Sequence, residues 1–532
     1  MVDEELSEVQ LEERKKLVEE IDNLCQKLYG QVIDEVYPNY SDLSEEILKV
    51  ELSGLKTRLE ILEKAKKEVK GRYILKDLWR KFYDSVIIEQ PLYRELYFYT
   101  LVGQIFFWDF KIVAKHKDED LRIHPVLIGP TGTGKTESSN LIADVIVCIP
   151  RRKYINAESF ECIDCFKVRF PKKLTDAALI GSYDSAIFQT QRVKKIKEGD
   201  ERFINPIIFG TFQENDLVIF DEAEIIFKPG RFSEQVQTHL RTVMNRYGTP
   251  GNALSNDSLR AKDFVYYNPS CSIIMTSYYL VEFETTFMEG GLMQRTALVI
   301  EEEDPEKRSK IQDEQISSVE DDNEEKFRKR LEEFKELKLQ FIDKLTGLKL
   351  KTLTYREDWK PEYRKKVSFP EDVREKIRLY KEEIRSVIPL TIVQKEKFDS
   401  MLGRMVLVFF KFCALNAIID GRIKVNVEDV DESFLLIREL AISSAEFIKT
   451  HTISPKQEEA YSKMERDVIM VLSKKELPKV EFNKLMGKIW GVSEPTAINR
   501  LKKFRDAGIF DERLSGIGNQ KICKLRSGIG LW

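Results

Sequence analysis

The stretch HPVLIGPTGTGKTESSN, His124–Asn140, constrains this chain more than any other. Its first apolar run, "PVLI", suits a short strand buried on both faces. The following loop, Gly129–Thr136, fits the pattern G-x-x-x-x-G-K-[ST], and "ESSNLIADVIV" then reads as a helix. Gly129, Gly132 and Gly134 let the backbone turn tightly and aim its N–H groups at phosphate oxygens. Lys135 reaches the β- and γ-phosphates as a point charge, and the Thr136 hydroxyl can coordinate Mg²⁺. Thr131, Thr133 and Glu137 complete the candidate nucleotide-binding set. A helix beginning at this point adds the positive end of its dipole to the site.

The second half of such a site is "DLVIFDEAE", Asp216–Glu224. Four apolar residues deliver Asp221 and Glu222 to a strand end, where two adjacent carboxylates are costly without a cation. Asp221 is placed to hold Mg²⁺ and Glu222 to polarise an attacking water as base. A third apolar run, "CSIIMTS", ends in Thr276 and Ser277, and Ser277 is taken as the polar group that orients the lytic water. Then "MEGGLMQRTALVIEEED" carries Arg295 on a short glycine-led segment. That arginine either stabilises transition-state charge on a neighbouring subunit's nucleotide or lies on a solvated turn.

Around these motifs the texture predicts five segments. Residues 1–115 read as helices, with Leu17, Ile21, Leu24 and Leu28 on one face, a packing or oligomerisation layer. Residues 116–300 alternate short apolar runs with helix-compatible segments, an α/β fold of three layers around a parallel sheet. Residues 301–390 open on the polar run "EEEDPEKRSKIQDEQISSVEDDNEE" and continue into a helix striped by Phe327, Leu331, Phe334, Leu337, Phe341 and Leu345. Residues 391–455 are helical, and "MLGRMVLVFFKFCALNAII" carries Arg404 and Lys411, so it reads as a buried helix and not a membrane span. Residues 456–532 form a separate unit.

That last unit reads helix, helix, turn, helix, hairpin. Ser493 is placed to cap "EPTAINRLKKFRDAG", whose Pro495 and Gly508 mark its ends and whose Ile498, Leu501 and Phe504 are expected to face inward. The pattern is that of a winged helix-turn-helix with its third helix in the recognition position. From Lys463 to Arg526 there are fifteen Lys and Arg against eight Asp and Glu. The unit carries +7 within a chain of net charge −4, the asymmetry of a domain that meets a polyanion. Arg500, Lys502, Lys503 and Lys521 are the candidate DNA contacts; a protein-docking role for the same unit stays open. A second basic group, Arg192, Lys194 and Lys195, lies in "QTQRVKKIKEGDER", and Arg260 and Lys262 lie between "RTVMNRYG" and the third apolar run. Each is either a phosphate contact or a solvated hairpin tip.

The order of phosphate loop, Asp-Glu pair, polar strand end and G-L-x-x-R resembles an AAA+ ATPase. It is most similar to the replicative-helicase branch: superfamily-three viral helicases, plasmid replication helicases and minichromosome-maintenance proteins. "KKLTDAALIGSYDSAIF" resembles that branch's insertion, and "RTVMNRYGTPGNALSNDSLRAKDFVYYNPSCSIIMTS" has room for its pore hairpin. "FDSMLGRMVLVFFKFCALNAIIDGRIKVNVEDVDESFLLIREL" resembles the lid of minichromosome-maintenance ATPases, with Arg404 as its sensor arginine. The resemblance implies a three-layer P-loop AAA+ core with a helical N-terminal region, helical lid and C-terminal winged helix. It further implies ATP and Mg²⁺ as cofactors, DNA as partner, and a ring, a hexamer of this chain. The expected function is a DNA helicase or translocase in replication. The alternative is an ATP-switched initiator or transcription regulator that does not unwind; a protein remodeller or defence ATPase is a third class.

Composition limits the rest. The chain is 532 residues long, 42% hydrophobic and 33% charged, as a globular protein with a heavily ionised surface would be. Its seven cysteines are odd in number and scattered, against a secreted disulfide framework. Cys162 and Cys165 form a lone C-x-x-C read as two ordinary thiols. The opening "MVDEELSEVQLEERKK" has no apolar signal region, so the expected setting is cytoplasmic or nucleoid-associated, with no membrane partner.

Overall fold

A computed structural model describes residues 8–29, 48–49, 52–53, 55–56, 59, 73–87, 90–114, 117–149, 165–183, 194, 207–227, 231–248, 253–255, 266–278, 291–301, 306, 309–313, 324–352, 363–386, 390, 392–451, 463–464, 467–472, 475–506, 509–514 and 521–525. The chain divides into two compact units. One comprises Val69–Tyr380 and Gly403–Ser443, the other Met1–Glu68, Lys381–Leu402 and Ser444–Trp532.

The larger unit is mixed α/β and is built on a five-stranded sheet. Its strands are β1 (Pro125–Ile128), β2 (Val168–Arg169), β3 (Leu217–Phe220), β4 (Ser272–Ser277) and β5 (Ala297–Ile300). They lie in the order β5-β1-β4-β3-β2, and every pairing is parallel. Each residue of β1, β3 and β4 is buried, which is why these strands read as unbroken apolar runs. Four helices bear on the site: α1 (Ile74–Asp84), α2 (Pro91–Phe106), α3 (Lys135–Ile146) and α4 (Arg231–Met244). Helix α2 packs on α3, β1 and β5, and both α3 and α4 pack on β4, an arrangement compatible with a three-layer core. His124, just before β1, is buried and its Nδ1 accepts from the Ile273 amide at 3.1 Å, fastening β1 to β4.

Elements from several of the five segments expected from the sequence share the larger unit. Helices α1 and α2 belong to the same unit as the sheet, as do the helix Glu324–Thr352 and the strand Lys365–Val367. Aromatic packing is the reason. The Phe82 ring stacks on Phe334 at 5.2 Å, and Trp79 meets Phe341 at 5.3 Å. Lys365–Val367 pairs parallel with Phe110–Ala114, and the Lys349 ammonium is buried against Asp109. Along that long helix Phe341 and Leu345 are buried, Phe334 and Leu337 are half-buried and Leu331 is 39% exposed, so the cover of the expected apolar stripe falls off toward its N-terminal end; the Phe327 side chain lies outside the described residues.

A buried polar network joins α1 and α2 to Gly403–Ser443. Lys76 bonds the Tyr99 hydroxyl at 3.0 Å and the Glu95 carboxylate at 2.8 Å, and also pairs with Glu432. Burial alone would raise the Glu95 carboxyl; Lys76 and Arg80 beside it hold it down at about 2. Tyr99 donates in turn to Asn416 at 2.7 Å. The helix Ile392–Ile419 contains a segment long and apolar enough to cross a membrane, but Phe409, Phe412, Cys413 and Leu415 on it are fully buried in the protein.

In the smaller unit, two helices, Lys479–Trp490 and Glu494–Asp506, pack with a three-stranded antiparallel sheet of Leu477–Pro478, Lys521–Leu525 and Phe510–Leu514. Val468, Phe482, Met486, Leu501 and Phe504 form its core. The first helix ends at Gly491, whose φ of +62° gives the left-handed stop that glycine favours. The Ser493 hydroxyl meets that of Thr496 at 2.9 Å. Ile498, expected to face inward, is 40% exposed; Ala497 takes the buried position instead.

Candidate functional site

The loop after β1 is anchored before it turns, because the Gly129 amide donates to the Ser277 carbonyl of β4 at 3.1 Å. Gly132 and Gly134 have φ of +83° and +76°. A Cβ on Gly132 would meet nothing within 4 Å, so conformation and not space demands glycine there. Helix α3 starts at Lys135, and the first N–H groups of a helix lack intrahelical partners. Two tyrosines of the upstream helices fix α3 in place: Tyr83 bonds Ser138 at 2.5 Å and Tyr97 bonds Ser139 at 2.7 Å.

Lys135 curls over its own loop. Its ammonium donates to the carbonyls of Gly129 (2.8 Å) and Pro130 (2.6 Å) and to the Thr133 hydroxyl (3.1 Å). Burial pushes this ammonium down from its ordinary value, against the pull of Glu301, Glu224 and Asp221. The Tyr278 ring lies 5.6 Å from it.

The end of β3 brings the acids to the same place. The Thr136 hydroxyl lies 3.1 and 3.2 Å from the two Asp221 carboxylate oxygens. Thr276, at the end of the adjoining strand β4, donates its hydroxyl to Asp221 at 2.6 Å and accepts from the Glu222 amide at 3.3 Å. Glu222 has a φ of +57°, a left-handed conformation costly for a residue with a Cβ. It is held there because Ala223 donates to the Thr276 carbonyl at 2.7 Å. The Glu222 side chain is exposed at the mouth of a cavity of about 170 Å³, which Thr131, Lys135, Thr136, Asp221 and Thr276 also line. Glu137 lines it too, from the first turn of α3.

Two oxygen donors, a hydroxyl and a carboxylate, suit a magnesium ion, which keeps its remaining positions for water and phosphate. The glycine loop with its lysine suits a polyphosphate anion. Among the described residues no group of three or more His, Cys, Asp or Glu is gathered as a metal cage. Cys165 is in no disulfide, and Cys162 lies outside the described residues.

The polar group at the β4 end that meets the acids is Thr276. Ser277, singled out from the sequence, lines the cavity but is buried and donates its hydroxyl to the Tyr278 carbonyl at 3.0 Å. Glu224 also borders the site and accepts from the Tyr278 amide at 2.9 Å; the third acid of "DEAE" was its signal.

Arg295 and Arg404 do not reach this cavity. They line another, of about 220 Å³, together with Arg122, Arg246 and Lys411. Arg295 sits in a 3₁₀ turn, Met293–Arg295, immediately before β5. Its Nε donates to Asn245 Oδ1 at 2.9 Å and its Nη1 to the Gly291 carbonyl at 2.6 Å. Burial lowers its pKa, with Arg404 and Arg241 adding to the effect.

Of the basic residues expected to touch DNA, Arg192, Lys195, Arg260 and Lys262 lie outside the described residues, and Lys194 is exposed. Two short antiparallel pairs flank those segments in the sequence. Gly181–Tyr183 pairs with Ile207–Phe209, and Leu254–Ser255 pairs with Tyr266–Tyr267. In the smaller unit Lys502 and Lys521 are exposed, the latter 3.8 Å from Glu512. Arg500 is half-buried and bonds Met464 Sδ at 3.7 Å, which turns it toward its own module's core. Lys503 is on the same helix, with its side chain outside the described residues.

No protein-family model matches the chain, and no curated protein matches it.

Proposed function

We propose that this chain is an ATPase of the AAA+ kind that works as a ring on DNA, a helicase or translocase of the replicative branch. The observation that carries the reading is the convergence of the Gly129–Thr136 loop, Asp221, Glu222 and Thr276 on one cavity at the ends of three neighbouring parallel strands. Support also comes from the sheet order and from Arg295 directly before the edge strand.

In this reading the loop amides and Lys135 bind the triphosphate, with the Lys135 ammonium leaving the loop carbonyls for phosphate oxygens. Thr136 and Asp221 would hold a magnesium ion, which would supply positive charge to offset that of the triphosphate. Glu222 accepts a proton from the attacking water as the new P–O bond forms and the bond to the β-bridging oxygen breaks. Thr276 orients both acids at once. Arg295 and Arg404, remote from their own chain's loop cavity, serve the nucleotide of a neighbouring copy, where a guanidinium stabilises the charge of the transition state. The Lys463–Arg526 module, with its +7 charge, is then a winged helix that meets duplex DNA, with Lys502 and Lys521 on phosphates.

The test is the ATPase rate with no DNA, with single-stranded DNA and with duplex, with Glu222→Gln as the inactive control. Several-fold stimulation by DNA that vanishes in the variant supports a motor and leads to an unwinding assay on a forked substrate. Turnover that is slow and indifferent to both DNAs removes the helicase reading and leaves a switch or remodeller. Absence of turnover in the wild-type chain removes the ATPase itself.

A further inference from the structure

We propose that Asn245 is the positioning residue for Arg295, and that Arg122 ties this position to the residues that flank the paired strands Leu254–Ser255 and Tyr266–Tyr267. The inference rests on the reading of Arg295 as the arginine that serves a neighbouring copy's nucleotide.

An arginine on a short turn carries several rotatable bonds, so its head is placed only where its donors are held. Among the described residues two acceptors hold Arg295: the Gly291 carbonyl and the Asn245 side chain. The first is local. Gly291 has a φ of +71°, and a Cβ there would come within 3.1 Å of Arg295 Nη1. The second comes from a different element. Asn245 is the residue after α4, its amide donating back to the carbonyls of Arg241 (3.1 Å) and Thr242 (3.3 Å). After it in the sequence come the paired strands Leu254–Ser255 and Tyr266–Tyr267, then Pro269 and β4.

Arg122 grips both ends of that stretch. Its Nη2 donates to the Asn245 carbonyl at 2.8 Å; its Nη1 donates to the carbonyls of Pro269 and Cys271, each at 3.1 Å. The guanidinium is fully buried, lies 5.0 Å from the centre of the Phe107 ring, and is fixed by Asp120 at 2.9 Å. Asp120 also accepts from the Tyr247 amide at 3.0 Å, and so holds the first end a second time. A displacement of these ends therefore moves Asn245, and with it the acceptor that sets the direction of Arg295.

The experiment measures kcat, KM and nucleotide affinity of the full chain with and without single-stranded DNA for wild type, Asn245→Ala, Asn245→Ser, Asn245→Asp, Arg295→Ala and the double variant Asn245→Ala/Arg295→Ala. Alanine and serine both lose the reach to Arg295, while serine keeps a short polar residue at the helix end. Each is expected to lower kcat by roughly 10- to 100-fold, the scale of a displaced catalytic group, with nucleotide affinity unchanged. Asn245→Asp keeps the acceptor and is expected to stay within about threefold of wild type, with its DNA stimulation retained. In the double variant the Asn245 change adds nothing to the loss from Arg295→Ala, the coupling expected of residues that act as one unit. An Asn245→Ala or Asn245→Ser chain as active as wild type overturns the proposal, as does full additivity in the double variant. Loss of nucleotide affinity and melting temperature together, without rescue by aspartate, also overturns it, since that is the mark of a helix cap alone. A wild-type chain without turnover fails at the earlier step and takes the proposed ATPase with it; an active wild type beside indifferent Asn245 variants removes only the positioning role.

Discussion

The Thr276 hydroxyl donates to Asp221 at 2.6 Å while its oxygen accepts the Glu222 amide at 3.3 Å, so one side chain at a strand end sets both acids of the site. Thr276→Val keeps the shape and removes both bonds. Turnover is expected to drop about 10- to 100-fold, as when the outer partner of a metal ligand is lost, while the melting temperature stays close to wild type. Thr276→Ser is expected to restore most of the activity. A valine variant with wild-type kcat would show that the two acids are oriented by something else.

Gly103 lies inside α2, where glycine is ordinarily a weakness that alanine repairs by about 1 kcal/mol. Here an added Cβ would stand 2.5 Å from the Leu121 carbonyl oxygen, a backbone atom in the segment leading to β1. Gly103→Ala is therefore expected to destabilise the larger unit, by about 1–3 kcal/mol as overpacked sites do. Urea unfolding decides it, and a midpoint above wild type would contradict the close approach.

His124 gives the larger unit a pH dependence with a definite sign. Burial holds its ring well below the ordinary value; Arg122 and Lys411 push the same way, and Asp120 opposes them. Its Nδ1 accepts from Ile273, so a proton there would set two N–H groups against each other. Below about pH 6.5 the unfolded chain takes up a proton that the folded chain refuses. The contribution to stability is thus complete above that pH and lost as pH falls, by up to about 1.4 kcal/mol per unit. His124→Asn keeps an acceptor and does not titrate. Its unfolding midpoint is expected to fall less steeply than that of wild type between pH 6.5 and 5, and parallel curves would assign the acid sensitivity elsewhere.

What was legible in the sequence is what a short window can hold. The strand before Gly129, the helix after Thr136 and the paired acids at Asp221 and Glu222 each announce themselves through spacing, and the structure brings them to one cavity. The choice between Thr276 and Ser277 was not legible, because adjacent strand residues point to opposite faces and the register with β3 decides which of them meets Asp221. Asn245 was silent for a related reason: its partner is Arg295, and a single long-range bond leaves no periodicity behind. The membership of α1 in the larger unit was equally hidden. Lys76 reads as one more surface lysine until Glu95, Glu432 and Tyr99 are placed around it.

The Arg122 grip also bears on how freely the chain can vary. Asn245 and Pro269 are held to one guanidinium whatever the length of chain between them. Closing a longer loop costs little, about 0.6 kcal/mol for each doubling. Changes of chain length between Tyr247 and Pro269 should therefore leave β4 and its Thr276 undisturbed. The length of the intervening chain is then a variable that evolution or engineering can change separately from the strand that carries Thr276.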